Sequence, residues 1–167
     1  MDGWPAVTVR RLADTIGFSQ PVLYGHFPDG RDGIVRAVAL AGFARLAELL
    51  TAAADLGGLC RAYLDFAREQ PATYEAMFSM PTDLEFARPA TPEELRAGFR
   101  PLLAAAMGDE TRAEVLWSAL HGLADLSRHG RLRPDHETAR VEALIGLLQR
   151  GPLHEEQRPA SGPLHRR

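Results

Sequence analysis

The chain is predicted to be all-α, an N-terminal helix-turn-helix head followed by a helical bundle, and three observations carry that expectation. No segment sustains the apolar and polar alternation of a half-buried strand, and no turn dipeptide joins two β-branched runs. Apolar residues recur instead at helical spacing along most of the chain, while Ser, Thr, Asp, Gly and Pro fall where helices start and stop. A chain of 167 residues can bury one sizeable core, or one core plus a small head. Its 46% hydrophobic and 25% charged residues are those of an ordinary globular protein.

The head comes first. Thr8 to Phe27, TVRRLADTIGFSQPVLYGHF, reads as two short helices about a tight turn. In the first, Leu12, Ala13 and Ile16 share an apolar face, Arg10, Arg11 and Asp14 face outward, and Thr8 caps the start through its hydroxyl. Gly17 supplies the left-handed residue of the turn, and the small Ala13 lets the second helix approach. Ser19 caps the second helix, Pro21 sits in its first turn where a missing N–H does no harm, and Leu23 and Phe27 face the core. Gln20, Val22, Tyr24 and His26 remain on the outside.

From Arg31 onward helix follows helix. Ile34, Val38, Phe43, Leu46 and Leu50 mark a long one running to about Ala54, which Gly57-Gly58 is expected to break. Leu59 to Glu69 is the next, stopped before Pro71, and Thr73 to Phe78 is a short one ended by Pro81. Ser79 to Ala90, with Pro81 and Pro89 around Leu84 and Phe86, reads as a loop. Thr91-Pro92-Glu93-Glu94 offers a capping box with Pro at its first helical position. Gly108 ends that helix, Asp109 caps the next, which runs to Gly130 with Leu132 beyond the cap, and Pro134-Asp135 opens the last. The expected units are therefore residues 1–36, 37–150 and a disordered tail, 151–167, without apolar periodicity.

An exposed face of Gln, Tyr and His suits the major groove. Gln20 can pair bidentately with an adenine edge, Pro21 and Val22 can touch a thymine methyl, and Tyr24 and His26 can donate to phosphates. The same twenty residues also fit an ordinary helical hairpin with Tyr24 half-buried. Taken whole, the run T-V-R-R-L-A-x-x-x-G-F-S-Q-P-V-L-Y-x-H-F, followed by Arg31 and a long helix, closely resembles the DNA-binding domain of TetR/AcrR-type transcriptional regulators. The resemblance implies that Thr8, Tyr24 and His26 grip phosphates and that Arg10, Gln20 and Pro21 lie near base edges, with Ser19 and Val22 on the same surface. It places Arg31 near a phosphate-binding lysine, although the Phe27 to Ile34 interval is one residue longer than usual and leaves Gly30 where the basic residue normally stands.

In such regulators an amphipathic helix precedes the motif, whereas Met1-Asp2-Gly3 already looks like that helix's glycine cap. The first helix is thus expected to be missing, through a start codon set too far downstream or a truncation that leaves an apolar seam. The former is favoured because every basic residue is Arg and no Lys occurs, as in a GC-rich genome.

Trp117, His121 and Gly122, with the upstream run Tyr63 to Phe78, resemble the ligand-binding domain of TetR-type regulators with a Trp-His-Gly signature. In that family the last two helices form a four-helix dimer interface, and a pocket binds an effector that shifts the two heads. The residues offer both. Leu116, Ala119, Leu120 and Leu123 on one helix and Val141, Leu144, Ile145 and Leu148 on the other form stripes wide enough for a core and a partner, or for a single core. Tyr63, Phe66, Tyr74, Met77 and Phe78, with Met80, Phe99 and Trp117, would line an adaptable apolar pocket or simply fill a core. His121 shares the face of Trp117 and reads as a satisfied buried histidine or a pocket group.

Other chemistries find no support. His121, His129 and His136 lack zinc-ligand spacing, there is no glycine-rich phosphate loop, and Cys60 has no partner signature, so neither catalysis, cofactor nor metal is expected. No run has the length of a membrane span and no signal-peptide pattern opens the chain, so the cytoplasm is the expected compartment. The net charge of -3 and a head whose four arginines balance four aspartates imply modest monomeric DNA affinity, reinforced by dimerisation and sensitive to salt. The sequence thus predicts a homodimeric regulator, a repressor released from a palindromic double-stranded operator by a small hydrophobic effector. The alternative is a dimeric small-molecule-binding module that has lost DNA binding with its first helix.

Overall fold

The structure, a computed structural model, describes residues 3–82, 84, 88 and 91–149. Among them are eight α-helices, two 3-10 turns (Trp4–Ala6 and Pro134–His136) and no strand. The helices are α1 (Val9–Ile16), α2 (Gln20–His26), α3 (Arg31–Thr51), α4 (Leu56–Glu69), α5 (Pro71–Phe78), α6 (Glu93–Ala105), α7 (Glu110–Arg128) and α8 (Glu137–Gln149). The expected tail, 151–167, and Phe86 and Pro89 of the expected loop lie outside the described residues; Ser79 to Thr82 contain no helix, and Leu84 packs on the core.

Two apolar clusters share α3. Val9, Ala13, Leu23 and Ile34 form the head cluster, with Leu12, Phe27 and Val38 against it. Val35, Ala39, Phe43, Leu46 and Leu50, on the other side of α3, belong to the main core formed with α4 to α8. The boundary expected at residue 36 therefore falls inside one unbroken helix, which makes the head and body mechanically continuous.

Several starts and stops depart from expectation for local reasons. Gly57 and Gly58 do not break the chain; they sit in the first turn of α4, where the Asp55 side chain accepts from the Gly58 N–H at 2.6 Å and offsets the poor helix propensity of glycine. Pro71 opens α5 instead of standing before it. The capping box at Thr91 does not form, because the Thr91 hydroxyl accepts from the Arg88 N–H at 3.0 Å and α6 begins after Pro92 without a side-chain cap. Asp109 does cap α7, accepting from the Arg112 N–H at 3.0 Å. Ile16 is not core: it is 49% exposed beside Phe18 at 58%, and α1 buries Val9 and Ala13 in its place.

Two long-range contacts position the head. Gly42 of α3 lies so close to α5 that a Cβ there would stand 2.5 Å from Met77 Sδ and 2.7 Å from Thr73 Cγ2. Trp4 is buried in the main core and not in the head, and its indole N–H donates to the Ala72 carbonyl in the first turn of α5 at 2.7 Å.

Candidate functional site

The helix-turn-helix is built by short-range chemistry. Thr8 caps α1 by accepting from the Arg11 N–H at 3.2 Å, and its hydroxyl hydrogen stays available to an outside acceptor. Gly17 closes α1 in the left-handed conformation at φ 75°. Ser19 stands at the N-cap of α2 but makes no side-chain cap bond, which leaves its hydroxyl toward solvent. Leu23 alone is buried in α2, so Gln20, Pro21, Val22, Tyr24 and His26 all stand on its exposed surface.

Tyr24 is held in place despite being 49% exposed. Its ring lies over Gly30, where a Cβ would come within 3.3 Å of Cε1; Gly30 has φ 60° and is the N-cap of α3. The phenol therefore sits beside the start of α3, whose first backbone N–H groups favour an anion. Arg10 is exposed on α1. Arg31 departs from the expected role: its Nε donates to the Val7 carbonyl at 3.2 Å and its Nη2 to the Trp4 carbonyl at 3.1 Å. The residue one place beyond the usual basic position is thus turned back to fasten the N-terminal segment.

In the body, α4, α5 and α7 bring Tyr63, Tyr74, Trp117 and His121 into one chain of hydrogen bonds. The Tyr63 and Tyr74 hydroxyls are 3.2 Å apart, the Tyr74 hydroxyl is 2.7 Å from His121 Nδ1, and Trp117 hydrogen-bonds Tyr63. The indole only donates, so Trp117 gives its N–H to the Tyr63 oxygen; between Tyr63 and Tyr74 either hydroxyl can donate, and the Tyr74–His121 bond runs one way or the other with the imidazole tautomer. Burial pushes the Tyr63 phenol up to about 12, and burial, followed by the neighbouring Tyr63, raises that of Tyr74 further, so both remain donors. Burial also lowers the pKa of His121, with Arg128 acting in the same direction and Asp125 opposing. The Tyr74 ring stacks on His121 with centroids 5.7 Å apart, and the Arg128 guanidinium carbon stands 5.3 Å from the centre of the Tyr74 ring.

This chain predicts a pH effect. Below its ordinary pKa of 6.5, His121 takes up a proton in the unfolded chain that the folded site resists. The stability tied to neutral His121 is present above that value and is lost as the pH falls through the lowered folded pKa. Thermal unfolding between about pH 7.5 and pH 5.5 should show a larger loss for the wild type than for His121→Gln, whose amide oxygen accepts from Tyr74 without titrating. Equal losses would show that His121 is not held neutral.

Tyr63, Phe78, Phe99 and Trp117 border a small, partly open apolar chamber, joined by Phe43 and Leu46 of α3 and Leu95, Gly98 and Leu102 of α6. The chamber measures about 10 Å³, the space of a single water. Tyr74 and His121 flank it through Phe78, with ring centroids 4.7 and 4.8 Å away. Three expected lining residues are elsewhere: Met77 faces Gly42, Phe66 borders an outer groove between α3 and α4, and Met80 packs on the core beyond α5. The α3 and α6 residues were not anticipated as lining, although Phe43 and Leu46 stood in the apolar stripe of their helix. Cys60 is fully buried and its thiol is raised by burial to about 11, as befits a core residue.

The last two helices sort their apolar residues differently from expectation. Leu116, Leu120, Val141 and Leu144 are buried within the chain and have no surface for a partner. Leu123, Ile145 and Leu148 lie half-buried against the same core. On α7 Val115 and Leu126 are exposed with the half-buried Ala119 and Gly122 between them at helical spacing, and Leu147 is exposed on α8. Val115 is 57% and Leu147 65% exposed, and space is open around Gly122.

Among the described residues no group of three His, Cys, Asp or Glu could hold a metal, and no helix is long and apolar enough to cross a membrane. Residues 2–38 match the family model of bacterial regulatory proteins of the tetR family, and residues 56–148 match that of the tetracyclin repressor-like C-terminal domain. No curated protein matches significantly. Two solved structures share the fold at a TM-score of 0.65 and 23% identity. The candidate regulatory protein SCO4313 aligns over 84% of this chain and 86% of its own, and a protein of unknown function from Rhodococcus sp. RHA1 over 87% and 84%. With its helix-turn-helix and its helical body each matched in chain order, the protein belongs to the TetR family of DNA-binding transcriptional regulators.

Proposed function

We propose that the protein is a homodimeric cytoplasmic repressor that leaves a palindromic operator when a small hydrophobic effector opens the chamber beside Trp117. The observation that carries this reading is the outer face of α2, where Gln20, Val22, Tyr24 and His26 are exposed around a single buried anchor, Leu23. Gln20 with Pro21 and Val22 reads base edges, and Thr8, Ser19, Tyr24 and His26 hold phosphates with Arg10 nearby. Arg31 is left out, being engaged with Val7 and Trp4.

A dimer is favoured by the stripe Val115, Ala119, Gly122 and Leu126 with Leu147, whose small central residues admit a close helix. Two heads then address successive major grooves, and avidity offsets the neutral charge of each. Effector control is favoured by the route from chamber to head. Phe78 and Tyr74 stand on α5, which touches α3 at Gly42 and holds Trp4 at Ala72. An effector that binds an expanded chamber more tightly than the closed one displaces this wall and with it the spacing of the heads.

Gel-shift titration with the DNA flanking the gene tests the proposal. Wild-type protein should retard it, and Gln20→Ala and Tyr24→Phe should each weaken binding about ten-fold without altering the sedimentation of the dimer. No sequence-dependent retardation by wild type would contradict the proposal, and a change in sedimentation would show that the substituted residue serves assembly.

A further inference from the structure

A recess of about 520 Å³ lies where α4, the start of α5, the end of α7 and the start of α8 meet. It shares no lining residue with the chamber beside Trp117. Leu64, Pro71, Leu123 and Leu132 give it apolar walls, and its size is that of a small-molecule site.

Three arginines and one glutamate also line it, and the arginines are not equally engaged. Arg68 pairs with Asp65 one turn earlier and with Glu137 of α8 at 3.1 Å, so two carboxylates more than neutralise it. Arg140 donates from Nη1 to the Arg133 carbonyl at 2.8 Å, a neutral acceptor that leaves its charge uncompensated. Arg128 lies over the Tyr74 ring, and a ring face accepts none of the in-plane N–H groups of a guanidinium. Among the described residues neither Arg128 nor Arg140 has a carboxylate within ion-pair distance. Asp125, a turn before Arg128, stands 3.4 Å from His129, and Asp135 pairs with Arg133 at 3.3 Å. Both guanidiniums are half-buried, and no buried side-chain nitrogen among the described residues lacks a partner, so their uncommitted donors stand open to an incoming molecule.

The recess also touches the tether of the head. Pro71 opens α5, and the carbonyl of the next residue, Ala72, holds the Trp4 indole. Arg128 meets the same helix one turn further on, at Tyr74.

We propose that this recess is a second ligand site, for a small organic carboxylate: Arg128 and Arg140 hold the carboxylate, the apolar walls hold its hydrocarbon body, and the bound molecule fixes the first turn of α5 where Trp4 is tied. The forked guanidinium matches a carboxylate in two parallel bonds, and a partly desolvated pair of this kind is stronger than a neutral hydrogen bond. The site stands independently of the chamber, because the two have no wall in common.

Isothermal titration of the full chain with naphthoate, naphthylmethanol and naphthylmethylammonium tests the site. Naphthoate should bind about ten-fold more tightly than either of the others, as a charge-assisted pair requires. R128Q and R140Q should each weaken naphthoate about five-fold while leaving the alcohol unchanged. R140Q keeps the contact between Arg128 and Tyr74, so its effect cannot come from packing on that ring. R133Q, beside the recess but outside its lining, should change neither ligand. Bound naphthoate should also slow amide hydrogen exchange at the start of α5. Equal affinity for the acid and the alcohol, tightest binding of the ammonium, or no binding of naphthoate would overturn the proposal. Naphthoate binding undiminished in both R128Q and R140Q would place the molecule elsewhere and overturn it too, and binding without slower exchange in α5 would overturn the link to the head.

Discussion

Trp4→Ala is expected to destabilise the protein by about 3–5 kcal/mol, the usual cost of emptying a buried aromatic site, and to lower its melting temperature by roughly 6–20 °C for a chain of this size. Trp4 is only 7% exposed and does three things at once. Its ring fills part of the main core, its indole N–H donates to Ala72 at the start of α5, and its carbonyl accepts from Arg31 at the start of α3. Removing the ring releases the N-terminal segment from α5 and the main core, while Arg31 keeps its bonds to the backbone carbonyls of Trp4 and Val7. Trp4→Phe separates the contributions, since it keeps most of the packing and loses one hydrogen bond worth about 0.5–1.5 kcal/mol. Calorimetry gives the size of the effect, and amide hydrogen exchange gives its place. In Trp4→Ala, protection should fall further in α1 and α2 than in α4 and α7. An unchanged melting temperature would mean that Trp4 does not tie head to body.

Gly42 yields the second large effect, and here the sign decides. Replacing a glycine inside a helix by alanine ordinarily gains up to about 1 kcal/mol. At Gly42 the added Cβ would stand 2.5 Å from Met77 Sδ and 2.7 Å from Thr73 Cγ2. The Met77 tip can swing away, but the β-branched Thr73 is stiff and its helix must retreat. Gly42→Ala is therefore expected to lower stability despite its better helix propensity, and Gly42→Val to cost about 1–3 kcal/mol, typical of overpacking. Because the contact joins α3, which enters the head, to α5, which bears Tyr74 and Phe78, both variants should also weaken operator binding more than their melting temperatures explain. A rise in melting temperature for Gly42→Ala would refute the close approach of the two helices.

What the sequence disclosed divides along the range of the interactions. The head was legible because its determinants are neighbours: the Thr8 cap, the Gly17 turn and the single buried face of α2 lie within twenty residues. Cap positions were legible where the side chain has no competing partner, as at Asp109, and were lost where another backbone N–H claims it, as at Thr91. The Asp55 cap escaped notice because the two glycines after it resemble a break.

Contacts across long separations left little trace. Nothing local marks Trp4 as a residue of the body, or Arg31 as a clasp on Trp4 and Val7, since each role depends on partners at least twenty-four residues away. The outward stripe of α7 was misassigned for a different reason. Leucines are the obvious candidates for facing a partner, yet Leu116 and Leu120 are the ones the chain keeps for itself, and Val115 and Leu126 are exposed instead, on either side of the half-buried Ala119 and Gly122. Aromatic composition pointed to Tyr63, Phe78, Phe99 and Trp117 as a group but could not disclose that they close on a space of one water.

The central claim, that α2 of a symmetric dimer reads a specific duplex, is tested most directly by selection from a random-sequence DNA library, with wild type and Gln20→Ala side by side. Wild type should enrich an inverted repeat whose half-sites face the same side of the helix, and Gln20→Ala should relax the preference at one position in each half-site. Enrichment of no motif, or of the same motif with undiminished preference by Gln20→Ala, would contradict it.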